Sequence, residues 1–489
     1  MAFSRTPTED TASSQRVRLT REISARDGGT SGKDEELINV FIEPVKNRTT
    51  GDDRHFVVKR AGTVQVAASV AAEGVRGMFF WEDQQKLFYC VNNDIYVYDV
   101  NANTSTTLSN VFSTTTGDVG FCLFQYSVGD SKVVATDGTT PSGMVTIDSS
   151  NVVVTNVDAD MPAHIPHPVY LDGYVFVAKV GTADIYNSTL DNPLAWTAGD
   201  FITAEMEADN LIRIAKINNY IVAFGRNSIE YFWDAAATPS PLQRNDTPIK
   251  INTYLAGFSQ FGNRLFYIGV NEGGQPDVYV LKDFAIEEVG SPTVSRYLNS
   301  NNAVLASWEA GIMSSKGHTF YVINAGTQKS YVLDVDTKLW SSWAWKTDTY
   351  FPLTNAIGIT NQTNSYTYFT IGSADSTIYK FNDTTYQDNG TTFTCTVTTE
   401  ASDFGTLNRK TMRRLALIAD RPSSNQNISV SWSDDDYQVF STPRNVNLNQ
   451  DLPCLYNLGW FRQRCFKLSY TANDNLRLQD MEVEINKGR

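Results

Sequence analysis

Histidine, carboxylate and cysteine are the residue types here that could do chemistry, and their spacing limits what chemistry that is. Four histidines are present, and two of them, His164 and His167, stand three apart in AHIPHPV, where two prolines hold the backbone extended. An HxxH pair on such a loop could ligate a metal. Zinc sites take three or four protein ligands, and no third donor stands nearby, so two solvated turn rings are the simpler expectation. Glu205, Glu207 and Asp209 crowd into TAEMEADN. Paired carboxylates can hydrolyse glycosides, but without a positioned partner this stretch reads more readily as a turn cap or a solvent-facing loop. The five cysteines (Cys90, Cys122, Cys395, Cys454, Cys465) are odd in number, widely spaced and never CxxC. That pattern fits buried, reduced thiols in a protein folded in a cytoplasm. GxSxG, HExxH, GxxxxGK[ST] and a strand-borne GxGxxG are all missing. The sequence nominates no catalytic, cofactor-binding or metal-binding residue.

Aromatic and basic clusters remain. Trp196 in DNPLAWTAGDF looks like an exposed loop residue, and DTKLWSSWAWKTDTY holds Trp340, Trp343 and Trp345. Such groups bind sugars, or they pack cores and oligomer interfaces, which is the favoured reading here. SWSDDDYQVFSTP resembles the Asp-box turn, S-x-D-x-G-x-x-W/F, of sialidase-like propellers. Ser433, Asp435 and Phe440 match it, and Tyr437 stands in the glycine place. That resemblance implies a hairpin turn and no catalysis. NRKTMRRL groups Arg409, Lys410, Arg413 and Arg414, while Arg462 and Arg464 alternate along GWFRQRCF and so share one strand face. These six are the candidate interaction residues. Either they form intradomain ion pairs and a solvated face, or they contact an acidic neighbour, protein or phosphate.

The elements that must position these residues repeat. Strand–turn–strand units begin at Lys86, Ser131, Gly173, Asn219, Gly262, Gly317 and Ser365, with steps of 42 to 55 residues. Each is expected to alternate apolar and polar residues around an Asn, Gly or Asp turn. A repeat of roughly 40 to 50 residues with about four strands is β-propeller spacing. The reading is an all-β chain: a propeller of six or seven blades over 36–389, a smaller β-sandwich-like domain over 390–489, and a polar N-terminal arm over 1–35. Strands within 38–80 are candidates to complete the last blade, and SSQRVRLTREIS could form a short amphipathic helix.

Composition agrees. The 489 residues carry 41% hydrophobic and 12% aromatic side chains, which is globular and tilted toward β structure. A net charge of −14 excludes a tight nucleic-acid binder but not a passage that DNA slides through. The first residues lack the apolar core of a secretory signal, and no apolar run approaches 18 residues, so no membrane span is expected.

Two stretches together resemble the tail-hub, or tail-nozzle, proteins of short-tailed bacteriophages, also called packaged-DNA stabilisation proteins. Asn39, Phe41 and Glu43 match the family's Asn-x-[YF]-x-E. Lys59, Arg60 and Gly62 match its KRPG turn, with Ala61 in the proline place. Gly225, Arg226, Ser228, Ile229, Glu230, Tyr231 and Phe232 match its central-blade motif, as do Gly257, Val278, Tyr279 and Leu281 further on. The resemblance implies a structural virion protein without catalytic residues or cofactors, assembled in the host cytoplasm. It further implies six copies in a ring below the portal and adaptor, holding tail fibres, spikes or a needle. Packaged DNA would be retained and later conducted through the ring without specific binding. The alternative is a sialidase-like propeller that binds or cleaves glycans on a phage tail, centred on the tryptophan-rich loops.

Overall fold

The structure is a computed structural model that describes residues 13–19, 36–45, 54–126, 130–139, 141–207, 209–246, 249–250, 256–270, 273–300, 308–360 and 365–487. Seven antiparallel four-stranded units follow one another around an axis. Blade 1 runs from Val75–Trp81 to Thr104–Leu108, blade 2 from Gly120–Phe124 to Val153–Thr155, and blade 3 from Val169–Leu171 to Asn192–Thr203. Blade 4 begins at Leu211–Ile217, blade 5 at Ala256–Phe261, and blade 6 at Glu309–Ser315. Blade 7 takes three strands from Leu353–Thr360, Ser365–Ile371 and Ile378–Asn382. Its fourth, Gly62–Ala67, comes from near the start of the chain. That strand closes the ring and completes the last blade from within 38–80, as expected from the repeat count.

All seven repeat units found in the sequence are the middle hairpins of these seven blades. Their pattern differs from simple alternation. Leu87, Phe88, Tyr89 and Cys90 are consecutive and buried, as are Ile221, Val222, Ala223 and Phe224 in blade 4. A blade is covered on both faces by its neighbours, so the middle strands have no solvent side. Seven hydrophobic clusters fill the seven gaps between consecutive blades, the last uniting Leu87 and Tyr98 of blade 1 with Tyr368 and Ile378 of blade 7. Each such buried side chain contributes about 1.5–3 kcal/mol.

The smaller domain is a β-sandwich, but its boundaries differ from 390–489. One sheet orders Val40–Val45, Arg54–Lys59, Arg477–Lys487, Lys410–Ala419 and Cys454–Tyr456. The other orders Glu36–Ile38, Cys395–Thr398, Cys465–Tyr470, Asn427–Ser433 and Arg444–Asn447. Residues 36–45 and 54–59 therefore belong to the sandwich, and the propeller starts at Gly62. Apolar alternation in 36–59 suits either body; only long-range pairing assigns it. Within the expected arm, Ser13–Arg18 is a strand, not a helix, paired from Ser13↔Ile485 to Arg18↔Asp480. Leu19 joins the sandwich core, and residues 1–12 and 20–35 lie outside the described residues. Glu36–Ile38 also pairs in parallel with the outer strand of blade 6 at Ile38↔Ser342, so one nine-stranded sheet runs from propeller into sandwich.

Candidate functional site: the domain junction and the propeller channel

The chain crosses between the two bodies at Lys59–Gly62 and again near Asp388, and those segments meet. Arg60 and Asp388 are 1% and 0% exposed, and they form a two-pronged ion pair at 2.9 and 2.6 Å. The remaining Arg60 N–H groups donate to Asn39 Oδ1 at 3.0 Å, the Ala61 carbonyl at 3.0 Å and the Ala344 carbonyl at 2.8 Å. All five guanidinium donors are thus used. Asp388 also accepts from the Lys346 amide at 3.0 Å and the Thr63 hydroxyl at 3.3 Å. The Phe393 ring lies 3.8 Å from the guanidinium carbon, so the cation rests on an aromatic face.

Neighbouring motif residues complete the lock. Lys59 donates from Nζ to the Ala472 carbonyl at 2.7 Å, and burial lowers its pKa. Lys316, in a blade 6 turn, donates to the Lys59 carbonyl at 3.0 Å and Asn475 Oδ1 at 3.2 Å; burial pushes its pKa down to about 8. Gly62 is required by contact, since a Cβ there would lie 2.4 Å from the Gln387 carbonyl oxygen. Phe41 packs edge-on against Phe320, and Glu43 pairs with Arg477 at 3.1 Å. Every residue of the first family motif therefore touches the junction or the sandwich beside it.

The first strands of the blades line an axial channel. It encloses a cavity of about 460 Å³ bordered by Arg76, Asp118, Arg213 and Glu309. Arg76 spends its guanidinium on the carbonyls of Thr114, Thr116 and Gly117. Arg213 sits 3.9 Å from the Phe258 ring centroid, and enclosure pushes its pKa down to about 10 against the pull of Asp118. Enclosure, aided by Asp118, raises Glu309 to about 7. His167 is held well below its ordinary value by enclosure and Arg213. Opposite charges thus balance across the channel.

The other sequence candidates serve the fold. His164 is 1% exposed, with Nε2 on the Thr136 hydroxyl at 2.8 Å and Nδ1 on the Pro162 carbonyl at 3.0 Å, so HxxH is neither solvated nor a ligand pair. Asp209 accepts the Asn227 amide at 2.6 Å, capping a blade 4 turn. In the Asp-box, Asp435 accepts from Ser433 Oγ at 2.6 Å and the Val439 amide at 3.0 Å. Tyr437 takes the glycine's left-handed conformation at φ 64°, while its hydroxyl accepts from the Ala401 amide and donates to the Thr399 carbonyl. Trp196 is buried, contrary to its exposed look: its indole N–H donates to the Pro193 carbonyl, and it joins the hydrophobic cluster between blades 2 and 3. Trp340, Trp343 and Trp345 are buried too, which removes the sugar-binding surface the alternative required. One histidine–carboxylate group was missed: His318 Nδ1 lies 2.7 Å from Asp334 Oδ2, with Asp336 close by. Asp334 also caps the Asp336 and Thr337 amides, so this is a turn that the DVDT spacing could have revealed.

The basic cluster divides. Lys410 is buried, donating to the carbonyls of Thr406, Asn408 and Arg462. Arg464 is buried and forks onto Asp434 at 2.7 Å. Arg414 pairs with Glu482 at 3.0 Å. Arg409, Arg413 and Arg462 stay on the surface.

A seven-bladed propeller locked to a sandwich through its closing strand defines a rigid scaffold protein. The chain belongs to the phage-stabilisation family described as "Bacteriophage P22 Gp10, beta-propeller", whose model matches residues 38–386. That makes it a tail-stabilising protein of the short-tailed phage type. No curated protein matches the chain. Among solved structures, the N-terminal domain of Nup159 is 9% identical, covering 71% of this chain and 100% of that one at TM-score 0.41. YCF48 from Cyanidioschyzon merolae is 13% identical, covering 66% and 99% at TM-score 0.43.

Proposed function

We propose that several copies of this protein, six by the family resemblance, form a ring in the phage tail below the portal and adaptor. The ring retains packaged DNA, conducts it at infection and holds tail appendages, and it turns over no substrate. The observation that carries this reading is the family match over 38–386, whose first motif, Asn39 to Gly62, builds the lock between the two bodies. A scaffold that bears DNA pressure needs domains that do not swing, and a buried five-donor arginine supplies that. DNA passes along the axis of the ring of copies and not through a single propeller, whose axial cavity of about 460 Å³ is lined by side chains of consecutive blades. A net charge of −14 keeps the wall from gripping phosphate during passage.

The test is complementation of DNA-filled heads lacking this protein. Adding it to heads bearing portal and adaptor should yield a ring at the adaptor by electron microscopy and protect the genome from added nuclease. Equal protection with and without the protein overturns the retention role, and failure to attach to the adaptor overturns the placement.

A further inference from the structure

Two surface patches of opposite charge stand at opposite ends of the molecule. The first is on the outer face of the sandwich. Trp460 pairs with Thr411 across the strands and is 60% exposed, with Arg409 stacked on its ring and Arg413 beside it. Arg462 holds the 65% exposed Leu407 next to it through the Leu407 carbonyl, and exposed Tyr456 extends the patch. Exposed aromatic and arginine side chains in one place are the composition of an interface core. None of the described residues covers it.

The second patch is the rim of blades 2 and 3. Residues 158–209, which run from the end of blade 2 through blade 3, hold nine carboxylates and a single lysine, Lys179, spread over both ends of blade 3, a net −8 within a chain of −14. The rim also exposes valines that a solvated edge has no use for: Val152, Val154 and, at 87%, Val157, beside exposed Asp160. Their placement matters. The sandwich is joined at blades 6 and 7, through Ile38↔Ser342 and Gly62–Ala67. Blade 3 lies three and a half blades from that joint in a ring of seven, which is half a turn. Blades 2 and 3 therefore lie across the propeller from the sandwich that carries Trp460.

We infer that these patches bind each other between copies: the Trp460 face of one protomer seats on the blade 2–3 rim of the next. Such a head-to-tail contact leaves one face of each kind open on every dimer and closes only in a ring. The inference rests on the ring reading above and names its contact.

Sedimentation velocity of the whole purified chain tests it. Arg409→Glu with Arg413→Glu cripples one face; Val157→Lys with Asp160→Lys cripples the other. The wild type should associate at tens of micromolar, and each variant should associate about 100-fold more weakly. An equimolar mixture of the two variants should give one-to-one dimers and nothing larger, because each contributes one intact face. Trp460→Ser and Val157→Ser, which only trim exposed apolar surface, repeat the comparison if a charge variant melts early. A wild type that stays monomeric, a face variant that assembles normally, or a mixture that stays monomeric overturns the assignment. A wild-type ring that survives both variants leaves the tail role standing and refutes only this contact. A monomer that still attaches to the adaptor does the same and shows that the Trp460 face serves another partner.

Discussion

Removing Asp388 should cost more than any other single carboxylate in this protein. In Asp388→Ala the Arg60 guanidinium keeps three partners, Asn39 Oδ1 and the Ala61 and Ala344 carbonyls, but it loses its countercharge in a place where it is 1% exposed. A buried ion pair broken on one side typically costs about 3–5 kcal/mol, because the orphan charge has neither water nor a partner. The Lys346 amide and Thr63 hydroxyl lose an acceptor as well, so the upper end of that range applies. The effect is local to the joint, so calorimetry should show the wild type's unfolding split, with the sandwich melting apart from the propeller. Replacing both partners, as Arg60→Met with Asp388→Leu, should recover at least about 2 kcal/mol of the loss, since no uncompensated charge remains. A loss below about 1 kcal/mol in Asp388→Ala, with both bodies still melting together, would refute the reasoning that this pair locks them.

Other outcomes follow from the same geometry. Gly62→Ala puts a methyl 2.4 Å from the Gln387 carbonyl oxygen and should destabilise blade 7 by at least about 2 kcal/mol, read from urea unfolding. Tyr437→Phe leaves the Ala401 amide and Thr399 carbonyl without their shared hydroxyl and should cost about 1–2 kcal/mol by the same assay. Lys316 has a folded pKa of about 8, below the unfolded value of about 10.4, so its neutral form is favoured by folding. Its penalty is fully present below pH 8 and disappears as pH rises toward 10. Stability should therefore climb with pH across that window, and Lys316→Met should flatten the climb. His318 is shifted the other way, raised by Asp334, so its contribution is complete below its unfolded value of about 6.5 and fades as pH rises through the folded one. His318→Gln should abolish that acid-side gain.

The sequence alone determined the repeat. Seven apolar hairpins at nearly even spacing, each with a turn that Asn or Gly tolerates, can bury both faces only by packing against one another. Seven such sheets close into a wheel. The Asp-box also spelled its own turn, even with Tyr437 in the glycine place. What local pattern could not decide was partnership across hundreds of residues. A strand such as RHFVVK reads alike in a blade or a sandwich, and only its pairing with Arg477–Lys487 assigns it. Arg60 and Asp388 are 328 positions apart, and nothing near either announces the other. The six basic residues looked equivalent as letters. Folding buried Lys410 and Arg464 against carbonyls and a carboxylate and left Arg409, Arg413 and Arg462 outside. Lys410 and Arg413 fall on opposite faces of Lys410–Ala419. Arg462 and Arg464 do not share a strand face as their alternation suggested, because they sit in the bend between Trp460–Phe461 and Cys465–Tyr470.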